Sequence, residues 1–168
     1  MHGDPNDGFN YGSLAVSIVA PKSRGNLTIS STNTADALLI NPNWLTDRTD
    51  VEVAVAGYKR AREFFTTDVM KNFTIGEEAF PGPNVRTDAE IEDIIRKSFN
   101  TIYHAACTCK MGKANDTSAI VDNKARVFGV KGLRVVDAAS FPLLPPGHPQ
   151  STVYAFAEKI ACEITGVL

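Results

Sequence analysis

The stretch Gly132-Leu133-Arg134-Val135-Val136-Asp137-Ala138-Ala139-Ser140 decides how the chain is read. Gly129-Val130-Lys131-Gly132 turns the chain, and Leu133 to Asp137 is a short β-branched run suited to a buried strand. An acidic residue closing such a strand, followed by a loop and a helix start, is how dinucleotide sites are built in layered α/β domains. The residues downstream continue that pattern: a Pro-rich loop from Phe141 to Pro149, then a helix predicted from about Ser151 to Thr165 with Val153, Phe156, Ile160 and Ile164 on one face. The glycine fingerprint of a pyrophosphate cradle is missing, because no two of the 12 glycines are separated by a single residue.

Upstream of this stretch, Thr87 with Glu90 three positions on forms a capping box, and Ile91, Ile94, Ile95 and Phe99 supply an apolar stripe. A helix is therefore predicted from about Asp88 to Asn100, set off from what precedes it by the firm break Phe80-Pro81-Gly82-Pro83-Asn84. A further helix is predicted from about Thr49 to Phe65, where Val51, Val55, Tyr58, Ala61 and Phe65 recur on one face. A loop through Asn41-Pro42-Asn43-Trp44 leads into it. Nearer the start, Ser13 to Ala20 has strand-forming content, Pro21 to Gly25 makes a turn, and Asn26-Leu27-Thr28-Ile29-Ser30 alternates; two antiparallel strands are the natural reading. Residues 1 to 10 are polar and read as a flexible lead-in or a cut end. The order of elements is mixed, so the fold class is α+β rather than a regular alternation.

Composition narrows the function classes. The 168 residues are enough for one compact domain and too few for two of full size. Hydrophobic residues at 43% and charged residues at 21% describe an ordinary globular chain. A net charge of −2 leaves no sequence-wide positive field for nucleic acid. No apolar run approaches the roughly 20 residues that cross a bilayer, and the start lacks the basic head and apolar region of a secretion signal. Asn26-Leu27-Thr28, Asn72-Phe73-Thr74 and Asn115-Asp116-Thr117 have the form of glycosylation acceptors, which matter only in a secretory lumen, so localisation stays open. Cys107, Cys109 and Cys162 are too few and too oddly spaced for a disulfide framework.

Of the three histidines, His2 sits in the lead-in, which leaves His104 and His148. A lone histidine is more often a surface or satisfied core residue than a catalyst, but the settings of these two are unusual. His104 stands just past a helix in Tyr103-His104-Ala105-Ala106-Cys107-Thr108-Cys109-Lys110-Met111-Gly112, among small residues that let other groups come close. His148 lies in Pro145-Pro146-Gly147-His148-Pro149-Gln150, a stiff loop opening a helix. A zinc site built on His104, Cys107 and Cys109 needs a second ligand pair that the spacing does not supply. A cysteine nucleophile with His104 as base has the right residue types, but a histidine three to five residues away on one loop does not ordinarily present itself to the thiol.

Four ordered blocks together resemble the carboxyl-terminal end of the glucose-methanol-choline (GMC) flavoprotein oxidoreductases. They are His104 to Gly112; Val121-Asp122-Asn123 with Ala125 to Val130; Gly132 to Ser140; and Gly147-His148-Pro149-Gln150 with Tyr154 to Ile160. Upstream, Ser23 to Ile29, Ile40 to Leu45 and the helix after them resemble the same family's substrate-binding region. The resemblance implies residues 1–103 as part of that region and residues 104–168 as the segment completing the FAD-binding domain and the active site, with its last strand and helix. It departs from the family at Cys107, where many members have glycine, and in lacking the glycine-rich amino-terminal FAD fold.

What the resemblance implies is oxidation of a small-molecule alcohol by hydride transfer to FAD, with oxygen or another acceptor taking the electrons. His148 matches the base and His104 its partner, placing or protonating the substrate oxygen; two imidazoles suit a reaction in which a hydroxyl proton leaves as hydride departs. Asp137, Ala138, His148, Pro149, Gln150, Ser151 and Thr152 match positions along the cofactor, and the helix start near Gln150 offers unpaired N–H groups to the electron-rich edge of the flavin. No metal is implied. Without the amino-terminal cradle the chain is expected to hold FAD weakly or not at all. Two alternatives stay open: a non-redox member of the family acting as a lyase or cyclase, and a non-catalytic relic or binding module in which an unpaired strand edge invites association.

Overall fold

The computed structural model describes residues 7–167; His2 and most of the polar lead-in lie outside them. The element order is β1 (Asn26–Thr28), β2 (Leu39–Asn41), α1 (Arg48–Phe65), α2 (Asp88–Ser98) and α3 (Gln150–Thr165), with 3-10 turns at Met70–Asn72 and Ala138–Ser140. This is an α+β chain with one two-stranded antiparallel sheet among the described residues. It divides into two compact units, one formed by residues up to Gly25 with Pro42–Ile102, the other by Asn26–Asn41 with Tyr103 onward.

The first unit is a helix pair. Asp47 caps α1 by accepting the Thr49 N–H at 2.8 Å, and α2 starts on the complete Thr87/Glu90 capping box. Leu45, Val51, Val55 and Ile91 are buried together, with Ile18, Tyr58, Val85 and Ile95 packed around them. Arg48 bridges the helices to Glu92 at 2.6 Å, and Lys59 pairs with Asp88. Arg62 grips the Glu78 carboxylate at 2.6 and 3.1 Å and donates to the Val85 carbonyl, so the loop after α1 is laced back onto it.

Ser13 to Ala20 is not a strand. The segment lies along α1 instead: Ile18 packs on the core, and Val16 approaches so closely that a β-carbon at Gly57 would lie 2.6 Å from it, while Leu14, Val16 and Val19 stay exposed. The segment ends on the buried Asp50, whose carboxylate accepts the Lys22 and Ser23 N–H groups at 2.7 Å each. Asn26–Thr28 pairs instead with Leu39–Asn41, in the register Asn26 to Asn41 and Thr28 to Leu39. The connection between them is tightened by Ser30 on the Ala37 carbonyl and by Ser31 and Asn33 around Asp36.

The second unit is mostly turns held by backbone bonds. Its buried residues are Val121, Ala125, Ser140, Phe141, Pro149 and Ile160. Leu133 to Asp137 does not form the expected buried strand. A strand needs a neighbour along its length, and here the run pairs with the Ala125 to Val127 segment through one bridge, between Arg126 and Arg134. Leu133 is 49% exposed. Helix α3 begins at Gln150, one residue earlier than read, and closes on Gly166 in the left-handed conformation.

Candidate active site

The second unit brings the two internal histidines into direct contact. Nε2 of His104 lies 2.7 Å from Nδ1 of His148, with the rings nearly perpendicular at 88° and their centroids 5.0 Å apart. The residues stand 44 positions apart in sequence, so the contact is made by the fold and not by local geometry. His104 is half-buried and His148 is exposed, which leaves the pair open on one side.

The His104 loop is pinned along its length. The N–H groups of Cys107, Cys109 and Met111 donate to the successive carbonyls of Ala138, Ala139 and Ser140 at 3.1, 2.8 and 2.9 Å. Alternate residues of the loop thus donate to consecutive carbonyls of the short turn, although the loop itself turns at Thr108 and Cys109. Two non-glycine residues around His104 adopt left-handed backbone, Tyr103 at φ 61° and Cys107 at φ 68°. Strain of this kind persists only where surrounding bonds hold it.

Asp137 opens the Ala138–Ser140 turn, its Oδ1 accepting the Ala139 N–H at 2.7 Å, while Ser140 donates to the Val135 carbonyl at 2.5 Å from a fully buried position. Phe141 continues from the turn to meet Phe156 of α3, ring centroids 6.0 Å apart. His148 then sits just ahead of α3. No side chain caps that helix start, where Pro149 is the N-cap and Gln150, Ser151 and Thr152 are exposed.

The residues read from the sequence therefore fall into two groups. His104 and His148 meet, and Pro149 to Thr152 follow directly at the open helix start. Asp137 and Ala138 belong to the turn that carries the His104 loop; the Asp137 carboxylate binds that turn's own amide and the Ala138 carbonyl accepts from Cys107. The contributions of Ser140 and of the left-handed Tyr103 and Cys107 were not read from the residues. A glycine preference at the Cys107 position was the one signal that could have pointed to the latter.

An FAD-type group fits what is here. The first turn of α3 presents N–H groups without intrahelical partners and the positive end of its dipole, with no side chain competing for them, which suits an electron-rich ring edge. Cys107, Cys109 and Cys162 form no disulfide, and no three His, Cys, Asp or Glu side chains converge as metal ligands among the described residues. No helix among them is long and apolar enough to cross a membrane.

Fold and sequence together place the chain among the oxidoreductases. The chain is a member of the GMC oxidoreductase family, whose model matches residues 21–157. It is 64% identical over 163 residues to patulin synthase of Aspergillus clavatus, covering 97% of this chain and 26% of that protein. It is 49% identical over 158 residues to versicolorin B synthase of Aspergillus parasiticus, covering 94% of this chain and 25% of that one. Among solved structures, an FAD-dependent oxidoreductase from Chaetomium thermophilum aligns with a TM-score of 0.82 at 36% identity, covering 88% of this chain and 25% of its own. Pyridoxine 4-oxidase from Mesorbium loti aligns at 0.80 and 32%, covering 89% and 29%. The chain thus spans about a quarter of the length of the curated relatives it matches.

Proposed function

We propose that this chain supplies the acid–base pair for FAD-dependent oxidation of an alcohol to a carbonyl compound, with His148 as base and His104 as its partner. The observation that carries the reading is the 2.7 Å contact between His104 Nε2 and His148 Nδ1. When bound, FAD accepts the hydride from the alcohol carbon. The residues toward it are Pro149 to Thr152 at the start of α3, with Asp137 and Ala138 in the turn behind the His104 loop. Residues 104–168 would complete the cofactor domain, with residues 1–103 on the substrate side.

The contact constrains the proton inventory. Exactly one hydrogen can lie between the two facing nitrogens, so two neutral tautomer pairs satisfy it. If His104 donates, the remaining nitrogen of His148 carries its only proton and cannot act as a base. If His148 donates from Nδ1, its Nε2 keeps a free lone pair, and His104 keeps a proton on Nδ1. Only the second arrangement lets His148 take the hydroxyl proton. His104 then stabilises the imidazolium that forms, by accepting a charge-assisted hydrogen bond, while its own Nδ1–H is a donor for the substrate oxygen.

The test is a graft. This chain replaces the matching quarter of the Aspergillus clavatus patulin synthase, and flavin reduction by alcohol is followed without oxygen. The reading predicts that His148→Ala retains bound flavin but slows reduction by about 10²- to 10⁴-fold. Reduction at an undiminished rate would overturn it. Turnover without any flavin bleaching would favour a proton-transfer reaction of the lyase or cyclase kind, which needs the same pair but no net hydride transfer.

A further inference from the structure

We infer that Asp137 is a positioning residue for the imidazole pair, acting through the Ala138–Ser140 turn. The inference rests on the reading of His104 and His148 as a proton-handling pair and adds the element that sets their separation. The Asp137 carboxylate binds the Ala139 N–H at 2.7 Å and the Asp137 carbonyl accepts the Ser140 N–H at 3.1 Å, so both ends of one residue close the turn. Ser140, buried completely, anchors the turn to Val135.

Both histidines take their register from this turn. On one side its three carbonyls hold Cys107, Cys109 and Met111, and the first of those bonds falls three residues after His104. On the other side Phe141, whose N–H donates to the Ala138 carbonyl at 3.2 Å, packs on Phe156 of α3, the helix that starts two residues after His148. Both loops are thus tied to the same turn, and the 2.7 Å spacing of the imidazoles is inherited from it. A neutral acceptor at position 137 serves the amide nearly as well as a carboxylate, whereas a methyl group does not serve it at all.

The experiment uses the isotope-labelled chain and the scalar coupling transmitted across the hydrogen bond between His104 Nε2 and His148 Nδ1. The coupling is expected in the unaltered chain and in Asp137→Asn, and is expected to vanish in Asp137→Ala while the amide spectrum of the α1/α2 core is unchanged. Retention of the coupling in Asp137→Ala overturns the inference, as does its loss in Asp137→Asn with that core intact. If Asp137→Ala fails to fold alone, the graft decides: bound flavin certifies folding, and reduction should be slower by up to about 10²-fold, the scale of a 1 Å misplacement. Equal rates, or loss of flavin as the sole defect, contradict a positioning role. If instead the coupling behaves as expected while His148→Ala leaves flavin reduction untouched, the positioning stands and the proton-handling reading falls.

Discussion

At the scale of single residues, Cys107 and Asp50 show how local physics reaches the site and the core. Cys107 holds a left-handed φ of 68°, a conformation that costs a β-carbon-bearing residue about 1 kcal/mol or more and glycine almost nothing. Cys107→Gly is expected to leave stability within about 1 kcal/mol of the original, measured by urea unfolding, because relieved strain offsets added chain entropy. A replacement by valine, stiff and β-branched, is expected to weaken the bond from residue 107 to Ala138 and with it the loop.

Asp50 is buried in the first unit. Burial pushes its carboxyl up, but the N–H groups of Lys22 and Ser23, the Ser23 hydroxyl and the Arg24 charge outweigh that and hold it below the ordinary 3.8. A carboxyl depressed by folding stabilises the native state fully above its unfolded value and ceases to do so as pH falls through its folded one. Asp50→Asn is therefore expected to unfold less steeply between pH 4 and 2 than the unaltered chain in acid titrations followed by circular dichroism, at about 1.5–3 kcal/mol lower stability at neutral pH. None of this was legible in the residues: nothing around Asp50 distinguishes it from the solvated carboxylates of α1, because its partners lie 27 and 28 positions upstream.

At the scale of elements, the helices were legible and the strands only in part, since Asn26–Thr28 was read as a strand but its partner was not. Helix α2 carries its own start signal in Thr87 and Glu90 and its burial stripe in Ile91 and Ile95, all within local reach. Thr87→Ala removes one half of the capping box and is expected to cost about 1 kcal/mol, read as a shift in the urea midpoint of the α1/α2 core. Ile91, 1% exposed, lies where that helix meets α1, and Ile91→Ala is expected to cost about 2–5 kcal/mol in the same measurement. Strands depend on distant partners. Ser13 to Ala20 has strand-forming side chains but finds no strand partner and sets only Ile18 against the α1 core, and the pairing falls to Leu39–Asn41 across a loop whose Ser, Asn and Asp bonds only the fold completes. Leu133 to Asp137 has β-branched content but a single bridge to hold it. For the candidate site, the sequence singled out the loops of His104 and His148, and the structure brings these two residues into contact; their approach across 44 positions is announced by no local pattern.

At the scale of the whole molecule, the surface is too large. The chain exposes 12705 Å²; a folded monomer of its mass exposes about 8,100 Å², and two separate folded halves about 9,700 Å². Phe73, Ile75, Tyr103 and Leu143 are each at least 75% exposed. Apolar surface on this scale drives association and dye binding. The isolated chain is expected to bind an apolar fluorophore at neutral pH and to sediment as larger species with rising concentration; a sharp monomer at all concentrations with no dye response would show that this surface is covered in solution. The excess also accords with a chain that spans about a quarter of its curated relatives.

The account turns on which imidazole donates across the 2.7 Å contact. The most direct measurement is the nitrogen chemical shift of His148 Nε2 in the labelled chain, taken in alkaline buffer. A shift characteristic of an unprotonated, lone-pair nitrogen is the predicted result, with the shared hydrogen on Nδ1. A protonated Nε2 on His148 would contradict its assignment as the base.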